Sequence, residues 1–414
     1  MRLASFIPFV LSFTSTLAQD YGYGAGYGRE FGEVPDECAR LPSHIKLVNQ
    51  TYILPDPFYF LSGAPVSSKA SWTCRAAQLR SLFQKYELGL KPTRPPVLKS
   101  STSKVSSNTT GLTITAGWQS NTIDWTVNIT YPSSGKKPYP ALIAYGGLSV
   151  PAPDGAAIIV FDNSEMGQQD NTSSRGLGLY YDLYGHNASA SSMMAWAWAV
   201  SRIIDVLEAS PDLNINTKKL GITGCSRDGK GVLVAGAFDE RIILTIPQES
   251  GSGGDACWRT SRDMLVNRGL ATQAAVEIVT ENVWFSLSFD QFAATNYSIG
   301  LLPVDHHELA GLVAPRGLYS TENVGFLWLG DWSNYECMKT ANKIFQSLGV
   351  GNHQGFSQDG PHDHCMFPSD QVSEITAFYD KFLFDEQADT SVFRTVGNWT
   401  YDPRWAPWRV PKLY

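Results

Sequence analysis

Two rhythms of apolar positions run along the chain. Over residues 111–131 every second position is apolar, first Leu112, Ile114 and Ala116, then Ile123, Trp125, Val127 and Ile129, which predicts strands with one buried face. Residues 70–88 instead carry Ala77, Leu79, Leu82 and Phe83 at helical spacing and end in a Gly-Leu-Lys-Pro stop. Residues 139–145 (YPALIAY, followed by Gly146-Gly147) and 156–161 are short, continuously apolar runs, as fully buried strands are. Residues 192–209 read as a helix, and 219–223 as a strand leading through a turn into a second helix. Residues 242–246 and 325–329 complete the series of short strands. Buried strands alternating with helices predict an open, mostly parallel sheet with helices on both faces, a three-layer α/β sandwich.

With 414 residues, 43% hydrophobic and 17% charged, the chain has material for one large core. A formal charge of −7 argues against nucleic acid or an anionic membrane surface as a partner. At the N-terminus, Arg2 precedes a charge-free apolar run from Ala4 to Leu17, and Thr16-Leu17-Ala18 has small residues where a signal peptidase needs them. Residues 1–18 are therefore expected to be a secretory signal, 19–30 a flexible Gly/Tyr-rich stretch (DYGYGAGYG), and 31–414 one catalytic domain. No other run approaches the roughly 20 apolar residues of a membrane span.

The expected compartment changes how the cysteines read. Six of them, Cys38, Cys74, Cys225, Cys257, Cys337 and Cys365, form no CxxC or Cys/His metal spacing. Outside the cell they should form three disulfides, with spacing alone leaving the pairing open. Seven sequons, at Asn49, Asn108, Asn128, Asn171, Asn187, Asn296 and Asn398, are candidate glycan sites.

The stretch richest in chemistry is KLGITGCSRDGKGVLVAGA, residues 219–237. A strand runs into Gly224-Cys225-Ser226-Arg227-Asp228-Gly229 and a helix follows, the context of a nucleophile elbow, in which a sharp turn lifts a serine hydroxyl above the sheet. The usual G-x-S-x-G is imperfect here, because Asp228 stands where the last glycine belongs and Gly229 comes one residue late. An elbow serine needs a base and an orienting acid, and in the α/β-hydrolase fold they follow it in the order acid, histidine. Of His306, His307, His353, His362 and His364, the last stands out because Cys365 adjoins it just as Cys225 adjoins Ser226. A bridge between those cysteines would bring serine and histidine together. Two acids at expected strand ends compete, Glu249 after 242–246 and Asp331 after 325–329, and spacing does not choose between them. The Asp305-His306-His307 run is expected to be buried hydrogen-bonding structure rather than a metal site, since adjacent side chains diverge.

These residues resemble the fungal glucuronoyl esterases, carbohydrate esterase family 15, from about Cys38 to the C-terminus. The resemblance rests on GCSRDGKG at 224–231, YPALIAYGG ending at Gly147, SRGLGLYYDLYG ending at Gly185, AWAWAVSRIIDVLE ending at Glu208, RIILTIPQESGSGG ending at Gly254, and HCMF from His364. It implies hydrolysis of esters that join (4-O-methyl-)glucuronic acid of glucuronoxylan to lignin alcohols, by a secreted monomer with no metal or cofactor. It implies Ser226 as nucleophile, His364 as base, Glu249 as acid and Arg227 as oxyanion stabiliser. Lys230, Gln273, Glu281 and Trp328 are implied to hold the sugar, and the implied disulfides are Cys38–Cys74, Cys225–Cys365 and Cys257–Cys337. Asp331 departs from the pattern, as the family commonly has proline there, and stays an alternative acid. Without the resemblance, Lys230 reads as a solvated helix lysine and Trp328 as core packing. Competing readings are an acetyl xylan or feruloyl esterase on the same fold, and a non-catalytic carbohydrate-binding relative; retention of Ser226 and His364 speaks against the latter.

Overall fold

The apolar runs become the middle of a ten-stranded sheet in the computed structural model, which describes residues 35, 37–397 and 399–414. The expected signal (1–18), the Gly/Tyr-rich stretch (19–30) and Asn398 lie outside the described residues. The strands are β1 (Val97–Lys104), β2 (Thr109–Trp118), β3 (Asn121–Thr130), β4 (Tyr139–Tyr145), β5 (Ala157–Phe161), β6 (Ile215–Cys225), β7 (Ile242–Gln248), β8 (Gly317–Asn323), β9 (Gln354–Asp359) and β10 (Phe393–Arg394). Their order is β1-β2-β3-β5-β4-β6-β7-β8-β9-β10. β1, β2, β3 and β5 pair antiparallel in turn, and every pair from β5–β4 to β9–β10 is parallel.

Successive side chains of a strand point to opposite faces, and the core divides accordingly. Ala141 and Ile143 of β4 enter one apolar cluster, Leu142 between them another. The larger cluster takes the apolar stripes of α1 (Lys69–Phe83), α2 (Ser192–Ala209), α3 (Arg227–Phe238) and, beyond α4 (Ala275–Glu281), of α5 (Asp331–Ser347). The smaller one packs Leu142, Leu244, Ile246 and Tyr319 under Phe378, Tyr379 and Phe382 of α6 (Val372–Phe382). Both faces of the sheet are thus covered, as its buried strands required. The expected Cys38–Cys74, Cys225–Cys365 and Cys257–Cys337 disulfides are all formed.

One expected strand is displaced. Residues 325–329 form a loop with a single helical turn, and the strand lies upstream as β8, all of whose residues are buried. Its second half is Ser320-Thr321-Glu322-Asn323, polar residues whose partners come from the site above, so hydropathy conceals it. β1 is missed for the opposite reason, being an exposed polar edge strand. Among the sequons, Asn49, Asn108, Asn128, Asn171 and Asn187 are exposed, whereas Asn296 is half-buried with its side-chain oxygen enclosed.

β6 ends at Cys225 and α3 begins at Arg227, so Ser226 alone makes the connection, at φ 60° and ψ −125°. A non-glycine residue holds such a backbone only under tight constraint. The Ser226 N–H donates to the Gln248 carbonyl at the end of β7, 2.8 Å away. The displaced glycine now has a reason. A Cβ on Gly229 would lie 2.7 Å from the Gln248 oxygen and 3.1 Å from the Gly224 oxygen, so residue 229 is where α3 crosses the strand ends. Residue 228 instead turns toward Asn163 and Gln169 and tolerates a side chain. Gly229→Ala should therefore destabilise the protein by about 1–3 kcal/mol despite alanine's better helix propensity. Denaturant unfolding of both proteins measures this, and an unchanged midpoint would refute the crowding argument.

Candidate active site

The Ser226 turn opens into a cavity of about 540 Å³, and it gathers residues from four separate parts of the chain. Ser226, Arg227 and Lys230 come from the start of α3, Gln273 and Glu281 from around α4, Trp328 from the loop after β8, and His364 from the loop after β9. Of the expected site residues only Glu249 stands behind the wall rather than in it, one residue past β7 and 1% exposed.

His364 Nδ1 lies 2.6 Å from Glu249 Oε2. A carboxylate only accepts, so the ring carries its proton on Nδ1 and leaves Nε2 free to act as a base. The second carboxylate oxygen, Oε1, accepts the Cys365 N–H at 3.0 Å, so Glu249 grips the histidine loop at two consecutive residues. Asn323 adds a longer bond to Oε2, 3.4 Å. Glu249 itself has φ 45°, and its N–H donates to the Thr321 carbonyl. The Cys225–Cys365 disulfide ties the neighbour of Ser226 to the neighbour of His364. Which carboxylate meets His364 is therefore decided. Asp331 starts α5, its carboxylate accepts the Trp332 N–H, and it is not part of the cavity wall.

The other histidines are elsewhere occupied. His306 is buried between the Gly254 carbonyl and Glu87, and His307 hydrogen-bonds the Pro55 carbonyl. His353 meets the Pro315 carbonyl, and His362 turns Nδ1 to the Asp363 carbonyl, 3.9 Å from Glu249 Oε1. Cys225, His364 and Cys365 come within metal-binding reach of one another, but both sulfurs belong to the disulfide and offer no thiolate.

Lys230 is not the solvated lysine that its position on a helix suggested. It is 4% exposed, and its ammonium donates to the Ser250 carbonyl. Burial pushes its pKa down to about 8, against the opposing pull of Glu322, Glu281 and Asp255. Gln273 donates to Glu281, and its own N–H donates to the Trp328 carbonyl at 3.1 Å. Trp328 is no core residue either: 37% exposed, it stands edge-on to the His364 ring at 5.0 Å.

Three features of the site had no legible sequence signal. Trp284 lines the cavity, and the Arg227 guanidinium sits over its ring at 5.1 Å. The Trp284 indole N–H donates to Gln169, whose amide donates in turn to Asp228. Asp228 also accepts from Asn163 at 2.7 Å, and burial raises its pKa. Arg227 and Asp228 are thus held through Trp284 and Gln169, the one by a cation–π contact and the other by a hydrogen bond, which no local pattern could announce because Gln169 is 59 positions from Asp228 and 115 from Trp284. The third is Glu322, buried beneath Glu249.

Residues 114–349 match the family described as "Glucuronyl esterase, fungi". The 4-O-methyl-glucuronoyl methylesterase of Phanerochaete carnosa is 51% identical over 367 residues, covering 87% of this chain and 89% of that protein. That of Hypocrea jecorina is 48% identical over 376 residues, covering 91% and 79%. The solved glucuronoyl esterase catalytic domain from Hypocrea jecorina superimposes with a TM-score of 0.85 at 48% identity, covering 90% of this chain and 100% of that one. A serine-to-alanine variant from Sporotrichum thermophile, solved with methyl 4-O-methyl-β-D-glucopyranuronate, gives a TM-score of 0.85 at 42% identity, covering 92% and 100%. Sequence and backbone agree, and the chain belongs to the fungal glucuronyl esterases.

Proposed function

We propose that this enzyme hydrolyses esters of glucuronic or 4-O-methylglucuronic acid, with Ser226 as nucleophile, His364 as base and Glu249 as acid. The observation that carries the reading is the His364 Nδ1–Glu249 contact of 2.6 Å, disulfide-linked to the Ser226 turn in a cavity that also contains Lys230 and Glu281. Ser226 Oγ attacks the ester carbonyl carbon as its proton passes to His364 Nε2, and Glu249 stabilises the imidazolium. The first N–H groups of α3 lack intrahelical partners, and with the Arg227 guanidinium they meet the carbonyl oxygen as it becomes negative. His364 returns the proton to the departing alcohol. A water, deprotonated by the same ring, then releases glucuronate from the acyl-enzyme.

Lys230, Gln273 and Glu281 supply polar groups for sugar hydroxyls, and the exposed face of Trp328 suits a pyranose ring. The physiological substrate on this reading is the glucuronoxylan–lignin ester, met outside the cell. Three disulfides suit an oxidising compartment, residues 1–18 serve as the signal, and the exposed sequons carry glycans. No helix among the described residues is long and apolar enough to cross a membrane.

Benzyl glucuronate should be cleaved, with methyl ferulate and acetylated xylan left intact. Ser226→Ala should lower kcat on the glucuronate by about 10⁴-fold or more. Cleavage of ferulate or acetate alone would retain the serine chemistry and discard the glucuronoyl assignment.

A second expectation concerns pH. Lys230 keeps its charge below a pKa of about 8 and loses it as pH rises through that value. A hydrogen bond from a charged donor is worth about 1.5–3 kcal/mol, so KM should rise about five- to tenfold between pH 7 and 9. In Lys230→Ala, KM should be high at both pH values. A wild-type KM that stays flat across this range would mean that the ammonium does not bind the sugar.

A further inference from the structure

Glu322 is the next-to-last residue of β8, 1% exposed, and has no part in the mechanism above. Its Oε1 accepts the backbone N–H of Ser250 at 2.9 Å, that of Gly251 at 3.1 Å and the Ser250 hydroxyl at 3.2 Å. Those two residues directly follow Glu249, whose left-handed backbone (φ 45°) is unusual for a residue with a side chain. Gly251 is left-handed as well (φ 59°), and a Cβ there would lie 3.0 Å from Leu329. The turn is therefore left-handed at both ends, with strain at Glu249, and is held from below by adjacent residues of β8, Thr321 through Glu249 N–H and Glu322 through the next two amides. The same turn presents the Ser250 carbonyl that receives the Lys230 ammonium.

We propose that Glu322 is a positioning residue: by holding the Ser250 and Gly251 amides it fixes the turn that aims Glu249 at His364 and places the carbonyl that anchors Lys230. The proposal rests on the triad assigned above. The acid is costly where it stands. Burial, followed by repulsion from Asp255, pushes its pKa well up, and burial raises Asp255 to about 7 as well. What the turn needs from this position is an acceptor oxygen at the end of a side chain of glutamate length; a negative charge is not required. Glutamine meets that need, whereas leucine fills the volume and accepts nothing.

The test compares kcat and KM on benzyl glucuronate for Glu322→Gln, Glu322→Leu and Glu322→Asp, each normalised to its folded fraction. Glu322→Leu should lose about 30-fold or more in kcat, the scale of a small misplacement of a catalytic group, with a raised KM. Glu322→Gln should retain kcat within about threefold, and Glu322→Asp, charged but too short, should fall between the two. In a Glu249→Ala background the leucine change should lower kcat by less than about twofold, since no acid remains to be aimed. A folded Glu322→Leu with wild-type kcat, or a full additive loss in that background, would overturn the proposal. If the leucine variant does not fold, a Glu322→Gln loss as large as that of Glu322→Asp overturns it instead. Wild-type kcat in Glu249→Ala would refute the triad, and the proposal with it.

Discussion

The Cys225–Cys365 bond joins two loops separated by 140 residues of sequence, and the site is built around it. Without it the histidine loop would be held by hydrogen bonds and ring contacts alone. In the loop-entropy description, a cross-link over such a span is worth about 5 kcal/mol to the folded state. Its local consequence matters more. Ser226 and His364 each adjoin a bonded cysteine, so small motions of β6 and of the loop after β9 are shared rather than independent. The Glu249 carboxylate completes the arrangement by accepting both His364 Nδ1 and the Cys365 N–H. One covalent bond sets the distance between the two loops, and one buried carboxylate sets the orientation of the ring.

Placing that much polarity in the interior has a cost that the packing must offset. Glu249, Lys230, Asp255 and Glu322 are all nearly inaccessible to water. An isolated buried charge would be ruinous, so Glu249, Lys230 and Glu322 each meet hydrogen-bonding partners. Lys230 takes a carbonyl, Glu322 takes two amides, and burial pushes the pKa values of Asp255 and Glu322 up. The outcome is a lysine whose charge is labile near pH 8, far below that of a solvated lysine.

The departure at position 228 belongs to the same economy of contacts. In the general elbow pattern the second residue after the serine is glycine, because strand ends crowd it. Here the crowding falls on Gly229, and Asp228 is released to reach Asn163 and Gln169. Through Gln169 it connects to Trp284, over which Arg227 lies. The irregularity in the motif thus supports the arginine next to Ser226.

Much of this was legible in the residue pattern because it is local. The alternation in β2 and β3, the apolar runs of β4 and β5, and the helix at 192–209 reflect burial of neighbouring side chains, which hydropathy records directly. Ser226 could be singled out by its turn between a strand and a helix, and His364 because a cysteine adjoins it just as one adjoins Ser226. β8 was misplaced because its polar end is buried against partners from β7 and the turn after it, and Trp284 and Glu322 went unseen because their roles lie wholly in contacts with distant segments. The choice between Glu249 and Asp331 is of the same kind. Both are acids near strand ends, and only the crossing of β7, β8 and the histidine loop brings one of them to His364. Residue types and their spacing determined which chemistry this chain carries. Tertiary structure decided which groups meet, because hydrogen bonds and pKa values depend on distances of a few ångströms between residues a hundred positions apart.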